Sequence, residues 1–311
     1  MKSETGSIHK TVLLHETIDG LRLRDGAIVV DGTFGGGGHS ELVLSKFPKA
    51  KVIAFDQDES AWEKAKAKFA TDTNVTFVNQ NFRNIGQVLK DMQIEKVDGV
   101  VLDLGLSSDQ LDNSGRGFSF MKNEPLLMTM KANLLLEDVT AMDIVNTWGE
   151  ESIANIIYGY GEEKQSRRIA KAIVDARQKG DIKTTFDLVK IIEDAIPAKF
   201  RKGKIHFATK TFQALRIAVN DELGALSEGL QSGFDALKKG GRMSVISFHS
   251  LEDRVVKKFY KEKEKDESGV LIPARLFNHS GGNKKVITAS IEEIKNNSRS
   301  RSAKLRIIQK E

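Results

Sequence analysis

The stretch Val29-Val30-Asp31-Gly32-Thr33-Phe34-Gly35-Gly36-Gly37-Gly38-His39-Ser40 limits what this chain can fold into. A short apolar run ends in an acid, turns through glycines and enters a segment with helical spacing. That order is the grammar of a first strand, a tight loop and a helix N-terminus in an α/β nucleotide-binding fold. Glycines permit positive φ and let a ligand approach without meeting a Cβ. The helix start would turn N–H groups and a dipole towards that ligand. A glycine-rich surface turn is the plainer alternative, and the residues beyond Ser40 decide between the two.

Those residues alternate between strand and helix patterns. Lys51–Asp56 reads as a second buried strand ending in an acid, and Asp58 is placed to cap the helix that runs through Trp62 and Phe69. Val75–Val78 is a third strand, with Phe82 after it and a helix near Ile85–Leu89. Val97–Asp103 is a fourth, again ending in an acid. Strands alternating with helices imply a parallel sheet covered on both faces, and ligands in such sheets sit beyond the carboxyl ends of the strands. Asp31, Asp56, Phe82 and Asp103 all fall at or just past those ends, which makes this edge a ligand site.

From Leu111 the alternation stops. Residues 112–131 are rich in Gly, Ser, Asn and Met and read as a loop over the site. Helical periodicity then covers 142–148, 153–158, 163–178 and 186–195. A basic link holding Lys199, Arg201, Lys202, Lys204 and His206 closes this stretch. Apolar spacing from Phe212 to Leu237 marks further helix, broken by Gly240-Gly241. Arg242–Phe248 is a fifth strand with His249 at its end, Leu251–Lys265 a basic amphipathic helix, and Ala303–Ile308 a final strand. The expected organisation is a discontinuous α/β domain, 1–111 and 208–311, interrupted by a helical domain at 112–207.

Composition narrows the chemistry. The 311 residues contain no cysteine, which excludes disulfides and thiolate metal sites. No His cluster has ligand spacing, so no metal is expected. Forty-eight Lys and Arg against 43 Asp and Glu give a net charge of +5, which tolerates a polyanion without demanding one. No apolar run is long enough to span a membrane, and the first residues lack the core of a signal peptide, so a cytoplasmic location is expected. Asp56 comes after the glycines at the distance where an acid meets ribose hydroxyls. NAD and S-adenosyl-L-methionine both carry such a ribose. Two details favour the methyl donor. Ser40 stands where the dinucleotide fingerprint wants its third glycine, and Asp31 would repel a pyrophosphate but attract a sulfonium or ammonium, a difference of about 1 to 4 kcal/mol in a wet site.

These residues resemble the bacterial small-subunit (16S) ribosomal RNA cytosine N4-methyltransferase family, known as RsmH or MraW. The resemblance rests on Asp31–Ser40, Leu102-Asp-Leu-Gly105 with Ser107-Ser108, and Arg116-Gly-Phe-Ser-Phe120. It continues through Gly161-Glu-Glu163, Thr211–Arg216 with Val219-Asn220, Ile246–Arg254 and Arg299–Arg306. It implies a class I (Rossmann-like) methyltransferase with a mostly parallel seven-stranded sheet and an inserted α-helical substrate domain. It also implies methyl transfer from S-adenosylmethionine to the exocyclic N4 of a cytidine in the decoding region. Carried over to this chain, the cofactor contacts are Gly37, Gly38, His39, Asp56, Phe82, Asp103 and Gln110. The chain departs from the family at Asp109, where proline is usual, and at Leu127, Thr129 and Lys131, where the family has Asp, Arg and Asp. Phe207 and Lys210 stand where it tends to have Pro and Arg. These departures leave a donor-binding RNA assembly factor with weakened catalysis, and more remotely an NAD-dependent enzyme, as alternatives.

The exocyclic amine is a poor nucleophile, so the enzyme must align N4, methyl and sulfur and accept a hydrogen from N4. Asp103 is the candidate catalytic acceptor, since a carboxylate is the side chain that accepts from cytosine N4. Holding the cofactor's amino group is its alternative role. His249 is a candidate proton carrier or else a structural histidine. Candidate RNA contacts are Arg116, Phe118 and Phe120 near the site and Lys202, Lys204, Arg299 and Arg301 towards phosphates. The partner would be small-subunit RNA or the 30S particle, with no membrane. Oligomeric state stays open, a homodimer being one option.

Overall fold

The computed structural model describes residues 10–69, 72–203, 205–274 and 286–311. The chain divides into two compact units, one made of the residues up to Gly105 together with Leu223–Glu311, the other of Leu106–Glu222.

The first unit is built on one mixed sheet. Its strands are β1 (Ile28–Asp31), β2 (Lys51–Phe55), β3 (Val75–Val78), β4 (Val97–Asp103), β5 (Leu237–Ser247), β6 (Gly269–Leu271), β7 (Ile287–Thr288) and β8 (Lys304–Lys310). The order is β3-β2-β1-β4-β5-β8-β6, with the two-residue β7 added against β8. Strands β1 to β5 pair in parallel, and β8 runs antiparallel to β5. The seven-strand expectation therefore describes the main path, and β7 is an eighth, minimal strand. Period-two alternation sends Val30, Val100 and Leu102 to one apolar core and Val29, Val52 and Val101 to the other. From β1 the chain winds outward through β2 and β3, then returns to β4 on the opposite side. The join between β1 and β4 is thus the topological switch point, where an open parallel sheet leaves a crevice.

At one place the structure differs from the local expectation. Gly240 and Gly241 do not break a helix: the helix Glu222–Ala236 ends earlier, and both glycines lie within β5. Gly240 has φ +77°, and the β4–β5 register shifts between Val97 and Gly99, so these glycines mark an irregular strand start.

The second unit is helical. Helices Ala141–Thr147, Glu150–Gly161, Ser166–Arg177, Thr185–Ala195 and Thr209–Asn220 enclose a core that includes Ile144, Ile157, Ile173, Leu188 and Leu215. Thr140 with Asp143 and Thr184 with Asp187 form capping boxes that fix two of the helix starts. Gly161 lets two helices meet: a Cβ there would lie 2.5 Å from the Lys210 carbonyl oxygen. The helix Thr209–Asn220 belongs to this unit, so the sequence-based edges at 112 and 207 fall short on both sides. Phe212 and Leu215 face the helical core. An apolar stripe at helical spacing reports that a helix is buried, but not against which core.

Within this unit a two-residue clamp holds the loop that departs from the family. The Met128 N–H donates to the Arg116 carbonyl at 2.7 Å, and Arg116 Nη1 donates to the Met130 carbonyl at 2.8 Å. Asn220 Nδ2 donates to the Met128 carbonyl, and its Oδ1 accepts from Met130 N–H, both at 2.8 Å. These bonds hold Met128 at φ +58°, a conformation uncommon for a side chain of this kind. Asn220→Ala should expose this loop at a cost of about 2 kcal/mol, the usual penalty for stranding buried backbone groups. Urea unfolding would show the loss, and hydrogen exchange should report faster exchange at the Met130 amide.

Candidate functional site

The glycine turn is held from both sides. Gly32 N–H donates to the Val101 carbonyl at 2.9 Å, and Asp103 N–H donates to Thr33 Oγ1 at 2.6 Å, so the turn after β1 is tied to the end of β4. Gly35 N–H donates to Asp56 Oδ2 at 2.8 Å, tying the same turn to the end of β2. Gly37 has φ +72°, and a Cβ on it would lie 2.6 Å from the Phe34 ring. A Cβ on Gly38 would collide with the Thr11 hydroxyl. Only glycine fits either position, and the helix Gly38–Lys46 starts from them.

Three acids sit around this turn, two of them satisfied and one not. Asp31 is 2% exposed and accepts from Ser40 Oγ at 2.6 Å and from Thr33 N–H at 3.3 Å. Burial raises its pKa to about 6 despite those donors. It is therefore an internal tie of the turn and does not present a free charge to a ligand. Asp56 accepts from Gly35 N–H and, at 2.9 Å, from Asp58 N–H, and burial lifts it also to about 6. Asp103 differs. Its Oδ2 lies 3.9 Å from His39 Nδ1, while Oδ1 is buried with no hydrogen-bond partner among the described residues. Burial pushes its pKa well above the usual carboxylate range, and the charges of Asp31 and Glu252 push the same way.

Phe82 opens a short 3₁₀ turn, Phe82–Asn84, after β3. Its half-buried ring rests on Gly229, where any Cβ would overlap it, and a Cβ on Gly32 would lie 3.1 Å from Phe82 Cβ. The first unit therefore brings Gly37, Gly38, His39, Asp56, Phe82 and Asp103 to the carboxyl edge of β1 to β4. Gln110 belongs to the other unit. Its side chain accepts from Ser107 N–H at 3.0 Å and completes a capping box on the helix Ser108–Asn113.

The residues assigned to RNA fall in both units. Arg116 is 8% exposed and engaged with Met130, and Phe118, 6% exposed, lies in the helical core. Both are corrected to packing roles, because neither shows a face on which a base could stack. Phe120 is half-buried and stacks on His206, with ring centroids 4.6 Å apart. Lys202 is exposed, and Lys204 lies outside the described residues. Arg301 is exposed and Arg299 half-buried on the 3₁₀ turn Ser298–Ser302. Among the departures, Lys131 pairs with Asp138 at 2.6 Å and Thr129 is buried, so local bonds absorb both.

Sequence reasoning missed Thr33, Ser40 as the partner of Asp31, and Glu252. The Thr33 bond exists only once β1 and β4 are neighbours, and the Ser40 bond only once the glycine turn folds back on β1. Glu252 was readable, since it stands three residues after His249, the spacing of a capping box.

The donor set fits an adenosine-bearing sulfonium. A glycine turn lacks the Cβ atoms that would fill it, an acid stands at the second strand end, and an aromatic ring comes after the third. A buried carboxylate oxygen without a partner completes the set. The described residues include no helix long and apolar enough to cross a membrane.

Raised acids carry a pH signature. Asp31 holds its proton to about pH 6 in the native state but only to about 3.8 when unfolded. The native state then binds the extra proton between those values, so this group's contribution is full below pH 4 and is lost as pH rises through 6. Asp31→Asn removes that slope. Urea titrations from pH 4 to 7.5 should show the variant gaining on the wild type with rising pH, by on the order of 3 kcal/mol.

Comparison with known proteins agrees with this geometry. The profile of the MraW methylase family matches residues 6–311. The ribosomal RNA small subunit methyltransferase H of Lactobacillus johnsonii is 46% identical over 97% of this chain and 98% of its own length. The protein of the same name from Brevibacillus brevis is 47% identical over the same shares.

Proposed function

The chain belongs to the MraW methylase family and is an S-adenosylmethionine-dependent methyltransferase, and we propose that its acceptor is the exocyclic N4 of a cytidine in the decoding region of small-subunit (16S) ribosomal RNA. The observation that carries the proposal is the unpartnered Asp103 Oδ1 at the switch point. A buried acceptor without a donor is costly unless a ligand supplies one. The amino group of cytosine is such a donor.

When bound, S-adenosylmethionine supplies an electrophilic methyl group on a cationic sulfonium. The chain supplies the rest. Asp56 holds ribose hydroxyls with lone pairs left over from Gly35 and Asp58. Phe82 packs on the adenine. Gly37, Gly38 and His39 line the methionine end. Asp103 accepts an N4 hydrogen and so turns the nitrogen lone pair towards the methyl. A cation nearby favours its ionised form, against the burial that raises its pKa. The target base must leave its stack to reach this edge. Phe120, Lys202, Lys204, Arg299 and Arg301 contact the surrounding RNA, with the lysines and arginines on phosphates. The helical unit serves as the substrate domain, and the reaction takes place in the cytoplasm on the 30S particle or its RNA. The assembly-factor alternative keeps one observation in its favour, the loss of both family acids at positions 127 and 131.

The test is transfer of labelled methyl to small-subunit particles, or their RNA, from cells lacking the mark. Wild type should label one cytidine, and Asp103→Asn should lower turnover at least about 100-fold. Asp56→Ala should weaken donor binding about 10- to 100-fold in calorimetry. Donor binding without any transfer would establish the assembly factor.

A further inference from the structure

The motif Ile246–Arg254 supplies none of the residues assigned above to the donor, and its histidine is unusually employed. His249 is the N-cap of the helix Ser250–Lys265, with Nδ1 accepting from Glu252 N–H at 3.4 Å. Glu252 is 3% exposed and answers by accepting from Phe248 N–H at 2.7 Å and His249 N–H at 3.2 Å. Ser, Thr, Asp and Asn are the usual residues for such a cap, so capping alone does not call for an imidazole.

The bond at Nδ1 fixes the ring's chemistry. A neutral imidazole has one donor and one acceptor nitrogen. With Nδ1 accepting, the proton belongs on Nε2, which makes Nε2 a donor and not the proton acceptor that a carrier would need. This nitrogen is buried, and it lies 3.1 Å from Glu252 Oε1 without meeting hydrogen-bond geometry. It is therefore a buried donor without a hydrogen-bond acceptor among the described residues.

A complementary orphan stands on the neighbouring strand. β4 and β5 are paired with Asp103 opposite Ile246, and Leu104 N–H donates to the Ile246 carbonyl at 3.0 Å. His249 comes three residues after Ile246, and Phe248 lies beside Gly105, 3.6 Å from where its Cβ would be. Two adjacent strand ends thus present one unpaired acceptor, Asp103 Oδ1, and one unpaired donor, His249 Nε2.

We propose that Asp103 and His249 together read the Watson–Crick edge of the target cytosine, Asp103 Oδ1 accepting from N4–H and His249 Nε2–H donating to N3. The deduction rests on cytidine being the methyl acceptor and adds the residue that discriminates between bases. Cytosine offers a donor at N4 beside an acceptor at N3. Uracil offers the reverse, an O4 acceptor beside an N3–H donor, and would set oxygen against carboxylate and hydrogen against hydrogen. The helix cap gives the histidine a second task, which is to lock the tautomer that this reading needs.

The test is a binding cycle on the full chain with S-adenosylhomocysteine present, so that no chemistry intervenes. The probes are two single-stranded oligoribonucleotides spanning the target, one with cytidine and one with 3-deazacytidine, which lacks the N3 acceptor. The variant is His249→Ser, because serine is a better helix cap and keeps the fold. Wild type should bind the deaza RNA about 10- to 100-fold more weakly than the parent. His249→Ser should lose a similar factor on the parent, keep its melting temperature and its affinity for S-adenosylhomocysteine, and show no further loss on the deaza RNA. Equal binding of both RNAs by wild type overturns the proposal without need of the variant. So do two penalties that multiply, since independent effects mean no shared bond. If wild type transfers no methyl to cytidine in small-subunit RNA, the cytidine reading itself falls, which is a separate outcome.

Discussion

Burial of carboxylates at the edge of the sheet is the constraint on which this site depends. Burial raises the pKa of Asp103, and the charges of Asp31 and Glu252 push the same way. Each tolerates burial differently. Asp31 takes a hydroxyl and a backbone N–H. Glu252 takes two N–H groups at a helix start. Asp103 keeps one oxygen without a donor, so the uncompensated part of the burial sits where β1 and β4 meet. A cationic donor and an amine are the chemical groups that relieve it. The switch point therefore has a reason beyond topology: it is where the fold leaves a buried carboxyl oxygen without a hydrogen-bond donor.

The surrounding ties make that possible. Thr33 and Gly32 join the turn to β4, and Asp56 joins it to β2, so the turn cannot drift away from the carboxylate it must face. All three ties use short polar groups and backbone. The helical unit uses a similar device elsewhere. Arg116 and Asn220 bond the backbone of Met128 and Met130 on both sides, so the conformation of the loop does not depend on its side chains. That is why the chain can carry Leu127, Thr129 and Lys131 there and keep the loop in place.

Much of this was legible in the sequence, and the failures have a common physical origin. β1 to β4 show as buried runs ending in acids because a parallel strand is apolar along its length and polar at its carboxyl end. Asp56, Asp103 and the glycines could be placed for the same reason. Arg116 and Phe118 were misplaced because a cation beside aromatics reads as a nucleic-acid surface whether it faces water or a core. In the fold, Arg116 turns its guanidinium to a backbone carbonyl and Phe118 joins the isoleucines. Helix Thr209–Asn220 was assigned to the wrong unit because amphipathic spacing names a buried face but not its partner. The tautomer of His249 was out of reach of any sequence reading, since it depends on which nitrogen meets Glu252 N–H.

The interruption between β4 and β5 bears on how the chain is made. During synthesis β4 leaves the ribosome next to β1, but its other neighbour waits until all of Leu106–Glu222 has emerged. Until then β4, with Val100, Val101 and Leu102 buried in the finished protein, is an exposed apolar edge of a half-built sheet. Such edges recruit stray strands. The insert therefore lengthens the time that this edge stands open, and the second half of the sheet closes only after the helical unit has been made.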